Sequence, residues 1–174
     1  YHDVILNAIN WDFIKHILPF DLSYNPGLVS SAAWRPTKRA QSICNGFLAS
    51  NIPHHLYMIG KPPSRKIESD RITWMGELSQ EKSISVMKSC SHAIHIGKFD
   101  PCPNSVIEEV CSGLPVLHTA NGGTPEIVRG NGIMMPVDTE WDYKPIHGVD
   151  DINPGITAKY LQELVHMERC SPHA

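Results

Sequence analysis

No apolar run of about eighteen residues occurs in the 174-residue chain, so hydropathy offers no membrane-crossing helix. No signal-peptide pattern appears within it. Neither G-x-G-x-x-G nor G-x-x-x-x-G-K-[ST] is present, which weakens a dehydrogenase or an NTPase. There is no Asp-x-Asp run to hold a metal, no C-x-x-C spacing, no internal repeat and no low-complexity tract. The five cysteines, Cys44, Cys90, Cys102, Cys111 and Cys170, are odd in number and suit free thiols in a reducing compartment. Positive charge is scattered: the formal net charge is −3, and the basic pairs are Lys38-Arg39 and Arg65-Lys66. A nucleic-acid partner is not expected.

What is present is enough for one core. Hydrophobic residues make up 41% of the chain, and a chain of about 150 residues buries roughly 70% of its unfolded surface. Residues 1–174 are expected to form a single domain. Apolar strands are expected at 1–7, 28–33, 56–59, 72–75, 93–96, 114–117 and 132–137. Helices are expected from Pro36, with Ile43, Phe47 and Leu48 on one face, over 79–90, from Ser105, and over 156–170. A strand arriving at residue 1 suggests that something precedes it. Strands separated by helices mean an α/β fold, a Rossmann-like parallel sheet flanked by helices on both faces. Such sheets bind ligands outside the carboxyl ends of their strands, here the loops 33–38, 97–104 and 120–125.

Residues 100–128 hold most of the chemistry. Pro103 and Asn104 break the chain, Ser105 is placed to cap a helix bearing Val106, Ile107 and Val110, and Gly113 stops it before a buried strand. A helix N-terminus there offers N–H groups and a positive dipole end to an anion. Asp100 and Glu108 stand eight apart and both suit a ligand over that terminus. Ser105-x-x-Glu108 is equally a capping box, and Asp100 before Pro101 is an ordinary turn residue. Gly122-Gly123-Thr124-Pro125 lets backbone approach a ligand closely, or is simply a turn. Arg35, Lys38 and Arg39 bring positive charge to the end of a strand, where a diphosphate would use it. His92 and His95 point to opposite faces of a strand, which disfavours a shared metal. Trp34, Trp74 and Trp141 read as core or rim aromatics.

With these residues in view, the chain resembles the C-terminal, nucleotide-sugar-binding half of a family 4 (group 1) retaining glycosyltransferase of the GT-B fold. The resemblance spans nearly the whole chain. Its specific part is the succession Cys102-Pro103-Asn104-Ser105-Val106-Ile107-Glu108, Ser112-Gly113-Leu114-Pro115-Val116 and Gly122-Gly123-Thr124-Pro125-Glu126. Residues 30–38 are similar to the family's first strand and basic loop.

The resemblance implies transfer of a sugar from a UDP-, GDP- or ADP-sugar to an acceptor with retention at the anomeric carbon, without metal or other cofactor. Glu108 takes the ribose. Asp100 takes the sugar-contacting position, one methylene shorter than the usual Glu. Lys38 matches the lysine that neutralises the diphosphate, while Ala32 stands where an arginine is expected, leaving Arg35 or Arg39 to reach the phosphate. The N–H groups around Asn104, Ser105 and Val106, with Gly122, Gly123 and Thr124, complete the donor contacts. The acceptor glycan, lipid or protein would sit on an N-terminal domain absent from this chain, so the chain alone should bind donor and transfer little. A cytoplasmic location, with membrane association through the missing half, is the matching expectation. A degenerate nucleotide-sugar-binding subunit, or an epimerase or phosphorylase of the same fold, are the alternatives.

Overall fold

The computed structural model describes residues 8–139 and 149–170. Among these residues, β1 (Gly27–Ser31), β2 (His55–Ile59), β3 (Ile72–Gly76), β4 (His92–His95), β5 (Val116–Thr119) and β6 (Gly132–Met135) join in one sheet. Its order is β3-β2-β1-β4-β5-β6, and every pairing is parallel. The helices are α1 (Trp11–His16), α2 (Ala40–Ser50), α3 (Gln80–Ser89), α4 (Asn104–Cys111), α5 (Thr124–Val128) and α6 (Pro154–Leu164).

Both faces of the sheet are covered because its central strands are apolar at consecutive positions. Leu28, Leu56, Met58, Ile94 and Leu117 enter a core with Ile43 and Phe47 of α2 and Leu161 and Leu164 of α6. Their neighbours Val29, Tyr57, Ile59, Ala93 and Val116 enter the opposite core with Val86 and Met87 of α3, Val106 of α4 and Val128 of α5. The period-2 geometry of a strand makes that division. A third cluster, Ile14, Ile17 and Ile84, seats α1 on α3. The sequence pattern and the observed architecture agree on a Rossmann-like α/β sheet.

The differences from expectation have local causes. The strand expected at 114–117 begins at Val116, because the Leu114 N–H donates to Glu109 O at 3.1 Å to close α4 and Pro115 has no N–H. Ser105 lies inside α4, whose N-cap is Pro103 without a side-chain cap, so the capping box does not form. The helix expected from Pro36 is a 3₁₀ turn, Pro36–Lys38, broken at Arg39 (φ 55°) before α2 starts. The last helix ends at Leu164; beyond it Arg169 donates to Lys88 O and Ser112 O, and the Cys170 N–H to Gly113 O. The strand expected at 1–7, Trp141 and part of the loop expected at 138–153 lie outside the described residues.

The strand order reverses between β1 and β4, which pair through Leu28 with His92 and Val29 with Ala93. The crevice beyond their carboxyl ends is where open α/β sheets bind ligands. On the covered face below, α2 crosses α6 so closely that a Cβ at Gly46 would lie 2.3 Å from Thr157 Cβ. Gly46→Ala should therefore destabilise the fold by about 1–3 kcal/mol, the usual penalty of overpacking, despite alanine's better helix propensity. Urea unfolding checks this, and an unchanged midpoint would mean that the two helices separate freely.

Candidate functional site

Lys38 and Asp100 meet in the crevice. The Lys38 ammonium pairs with Asp100 Oδ2, and His95 Nε2, at the end of β4, lies 3.3 Å from the same oxygen. That imidazole nitrogen is buried and has no better-aligned partner among the described residues. Burial alone would raise the Asp100 carboxyl, but hydrogen bonds from His95 and Lys38 outweigh it and bring it down to about 2. Burial lowers His95, against the pull of Asp100, so the ring favours its neutral form.

Backbone contacts hold the loop that carries Asp100. Lys98 N–H donates to Thr37 O at 2.8 Å, tying the loops after β1 and β4 together. The Thr119 hydroxyl donates to Gly97 O at 3.0 Å, and Gly123 N–H to Asp100 O at 2.9 Å. The two glycines meet this loop rather than open space: a Cβ on Gly122 would lie 2.3 Å from Asp100 O, and one on Gly123 1.9 Å from Pro101 O. Both glycines thus back the Asp100 loop. Thr124 is likewise buried.

The αL turn at Arg39 sends adjacent cations in opposite directions. Lys38 faces the crevice, whereas Arg39 is buried, forks onto both carboxylate oxygens of Asp138, and donates to Asp150 O and Ile96 O. Arg39 thus braces the domain, and its guanidinium is engaged within the protein. Arg35 is exposed at the rim of a cleft of about 520 Å³ that Ser31, Trp34, Gly60, Lys61 and Glu77 help to line. Trp34 meets Trp74 edge-on at 5.9 Å, and its buried Nε1 has no partner among the described residues.

Glu108 stands at the other side of the α4 terminus, where its Oε1 accepts from Gln80 Nε2 at 2.7 Å. Burial raises its carboxyl, partly offset by Gln80. With Asn104 and Ile107 it lines a small pocket of about 120 Å³. Ser105 is half-buried in the first turn of α4. Val106 has its side chain in the core, and its N–H donates to Pro103 O at 3.1 Å. Sequence reasoning missed His95 as a partner of Asp100 and Gln80 as a partner of Glu108. The strand-end place of His95 was a signal for the first; nothing local marked the second.

Glu109 was also missed. It is fully buried on α4, and neither carboxyl oxygen reaches hydrogen-bonding geometry with a described residue. Burial, reinforced by the charge of Glu108 and opposed by the Ser31 backbone, pushes its carboxyl well above the ordinary range.

The strand-order reversal, with a lysine and a carboxylate paired beside it and a helix starting four residues later, is the place where α/β sheets of this kind take ligands. A family model described as glycosyl transferases group 1 matches residues 28–143, about two thirds of the chain. The chain belongs to that family. Among solved structures it is similar to sucrose-phosphate synthase from Thermosynechococcus elongatus, with TM-score 0.60 and 18% identity over 87% of this chain and 41% of that one. It is similar to WaaG, a glycosyltransferase involved in lipopolysaccharide biosynthesis, with TM-score 0.58 and 16% identity over 90% of this chain and 40% of that one. HepE of Anabaena, in complex with UDP and glucose, matches with TM-score 0.56 and 15% identity over 64% of this chain and 34% of that one. At these identities the likeness is one of fold, and the chain spans well under half the length of each. No curated protein matches it.

Glu109 supplies a pH test of the site's foundation. The folded state keeps a proton that the unfolded chain releases as pH rises through about 4.5, so stability is full below that pH and falls above it. Glu109→Gln should match the wild type near pH 4.5 and become the more stable protein above it. The gap should widen by up to about 1.4 kcal/mol per pH unit. Urea unfolding at pH 4.5, 6 and 8 checks this, and a gap that stays constant would show an ordinarily ionised carboxylate.

Proposed function

We propose that the chain is the nucleotide-sugar-binding half of a glycosyltransferase, holding a UDP-, GDP- or ADP-sugar for anomer-retaining transfer to an acceptor on an N-terminal domain. The observation that carries this reading is the meeting of Lys38 and Asp100, four residues before the start of α4, on the loops that follow β1 and β4, within a chain of the group 1 family. HepE structures that this fold resembles hold UDP or UDP-glucose, which supports a nucleotide-sugar donor here.

In this reading Lys38 and Arg35 take the charge that builds on the departing diphosphate, and no metal or other cofactor is required. The two cations sit on one short loop, with Arg35 serving where Ala32 cannot. Residues Asn104 and Ser105 offer the positive end of α4 to the nearer phosphate and the sugar. Asp100 orients the sugar hydroxyls. Glu108, raised by burial yet hydrogen-bonded by Gln80, accepts from the ribose hydroxyls. With the acceptor on the N-terminal domain, these residues by themselves bind donor and transfer little. A non-catalytic nucleotide-sugar-binding subunit is the second reading, favoured by Ala32 and by a Lys38 already neutralised by Asp100.

A thermal-shift titration with UDP, GDP and ADP tests the reading. A ligand at a hundred times its dissociation constant adds about 2.7 kcal/mol, and each kcal/mol is worth roughly 2–4 °C in a domain of this size. One nucleotide should raise Tm by about 5–10 °C in the wild type, with the rise lost in Glu108→Ala and reduced in Arg35→Ala. No rise with any of the three would overturn the reading. A large gain in Ala32→Arg would favour the degenerate subunit.

A further inference from the structure

We propose that Asp100 is a built-in substitute for the donor's phosphate: it neutralises Lys38 in the empty site, and a diphosphate must take Lys38 from it before the carboxylate can turn to the sugar. This rests on the donor-site reading above. Lys38 then discriminates between ligands by what they can displace, and Asp100 is the specificity-determining residue.

Three observations carry the inference. First, the pair is open enough to be contested, with side-chain exposures of 21% for Lys38 and 13% for Asp100. Second, the Asp100 backbone does not need to move. Its carbonyl is held by Gly123 N–H, and the adjoining loop by Lys98 N–H on Thr37 O and by Thr119 on Gly97 O, so exchange needs only side-chain motion, chiefly the departure of the flexible Lys38 ammonium. Third, His95 Nε2, 3.3 Å from Oδ2, otherwise lacks a partner among the described residues. It remains a donor to the carboxylate once Lys38 has left, so exchange does not strand a buried charge.

The consequence is a tax on affinity that only a strong anion overcomes. If the exchanged arrangement is populated to about a tenth in the empty protein, a ligand that needs Lys38 binds about tenfold more weakly than the site allows. A nucleoside, which brings no phosphate, leaves the ion pair intact and escapes the tax. The site thereby favours diphosphates by charge while holding an internal anion that excludes weaker ones.

The test is calorimetric titration of the 174-residue chain with UDP, GDP and ADP and with their nucleosides, for the wild type, Asp100→Asn and Lys38→Met. Asp100→Asn keeps the shape of the side chain and removes its charge. It should bind the preferred diphosphate about three- to thirtyfold more tightly, around the tenfold tax, with the nucleoside unchanged. Lys38→Met should bind the diphosphate more weakly than the wild type. A wild type that binds, a Lys38→Met that binds less and an Asp100→Asn that gains nothing would overturn the exchange and leave the donor site standing. Binding in none of the proteins would overturn both. A second readout needs no variant: in a ¹³C carboxyl titration the Asp100 midpoint should move up from about 2 when the diphosphate saturates the site, because Lys38 has left it. An unmoved midpoint under saturating ligand would overturn the exchange.

Discussion

The crevice depends on the buried contact between Arg39 and Asp138. Arg39 has left-handed backbone at φ 55°, which ends the turn carrying Lys38 and drives the guanidinium inward. There it joins the segment after β6 through Asp138, the approach to α6 through Asp150 O and the end of β4 through Ile96 O. Removing one partner of an ion pair this deeply buried generally costs about 3–5 kcal/mol, since the other is left charged and unpaired. The planar fork of arginine suits the two-oxygen grip in a way that lysine would not. With Arg39 committed to the scaffold, the proposed donor site relies on Lys38 and Arg35 for its cations.

Around that brace the site is built from opposed charges at short range. Lys38, Asp100 and His95 come from the ends of the two strands between which the sheet order reverses, and Glu108 lies one helical turn into α4. The carboxylates are driven apart in character by their surroundings. Asp100 is held ionised by two donors, whereas burial lifts Glu108 and, more strongly, Glu109. A single short stretch thus presents a firmly ionised acid toward the crevice, a hydrogen-bonding acid beside it and a proton-retaining acid beneath.

Much of the fold was legible because it is written in period-2 and period-3.6 patterns. Leu28 and Val29, or Ala93 and Ile94, are consecutive apolar residues, and only a strand covered on both faces buries both. What was not legible is geometry between distant residues. The spacing of Ser105 and Glu108 fits a capping box, yet Pro103 takes the cap and Gln80, from another helix, takes the glutamate. Lys38-Arg39 reads as one basic pair until a left-handed residue separates them. The glycines at 122 and 123 invite a ligand on paper, and are needed because the backbone of Asp100 and Pro101 lies where their side chains would be. Asp100, Lys38 and Glu108 were all named from the sequence; that Asp100 and Lys38 are partners was not.

The most direct measurement is a crystal structure of the chain with the nucleoside diphosphate that stabilises it. The account predicts the diphosphate against Lys38 and the first turn of α4, with the ribose on Glu108 and Lys38 no longer paired with Asp100. A diphosphate lying instead in the neighbouring cleft of about 420 Å³ between Arg35, Gln41 and Arg65, with the Lys38–Asp100 pair intact, would contradict it.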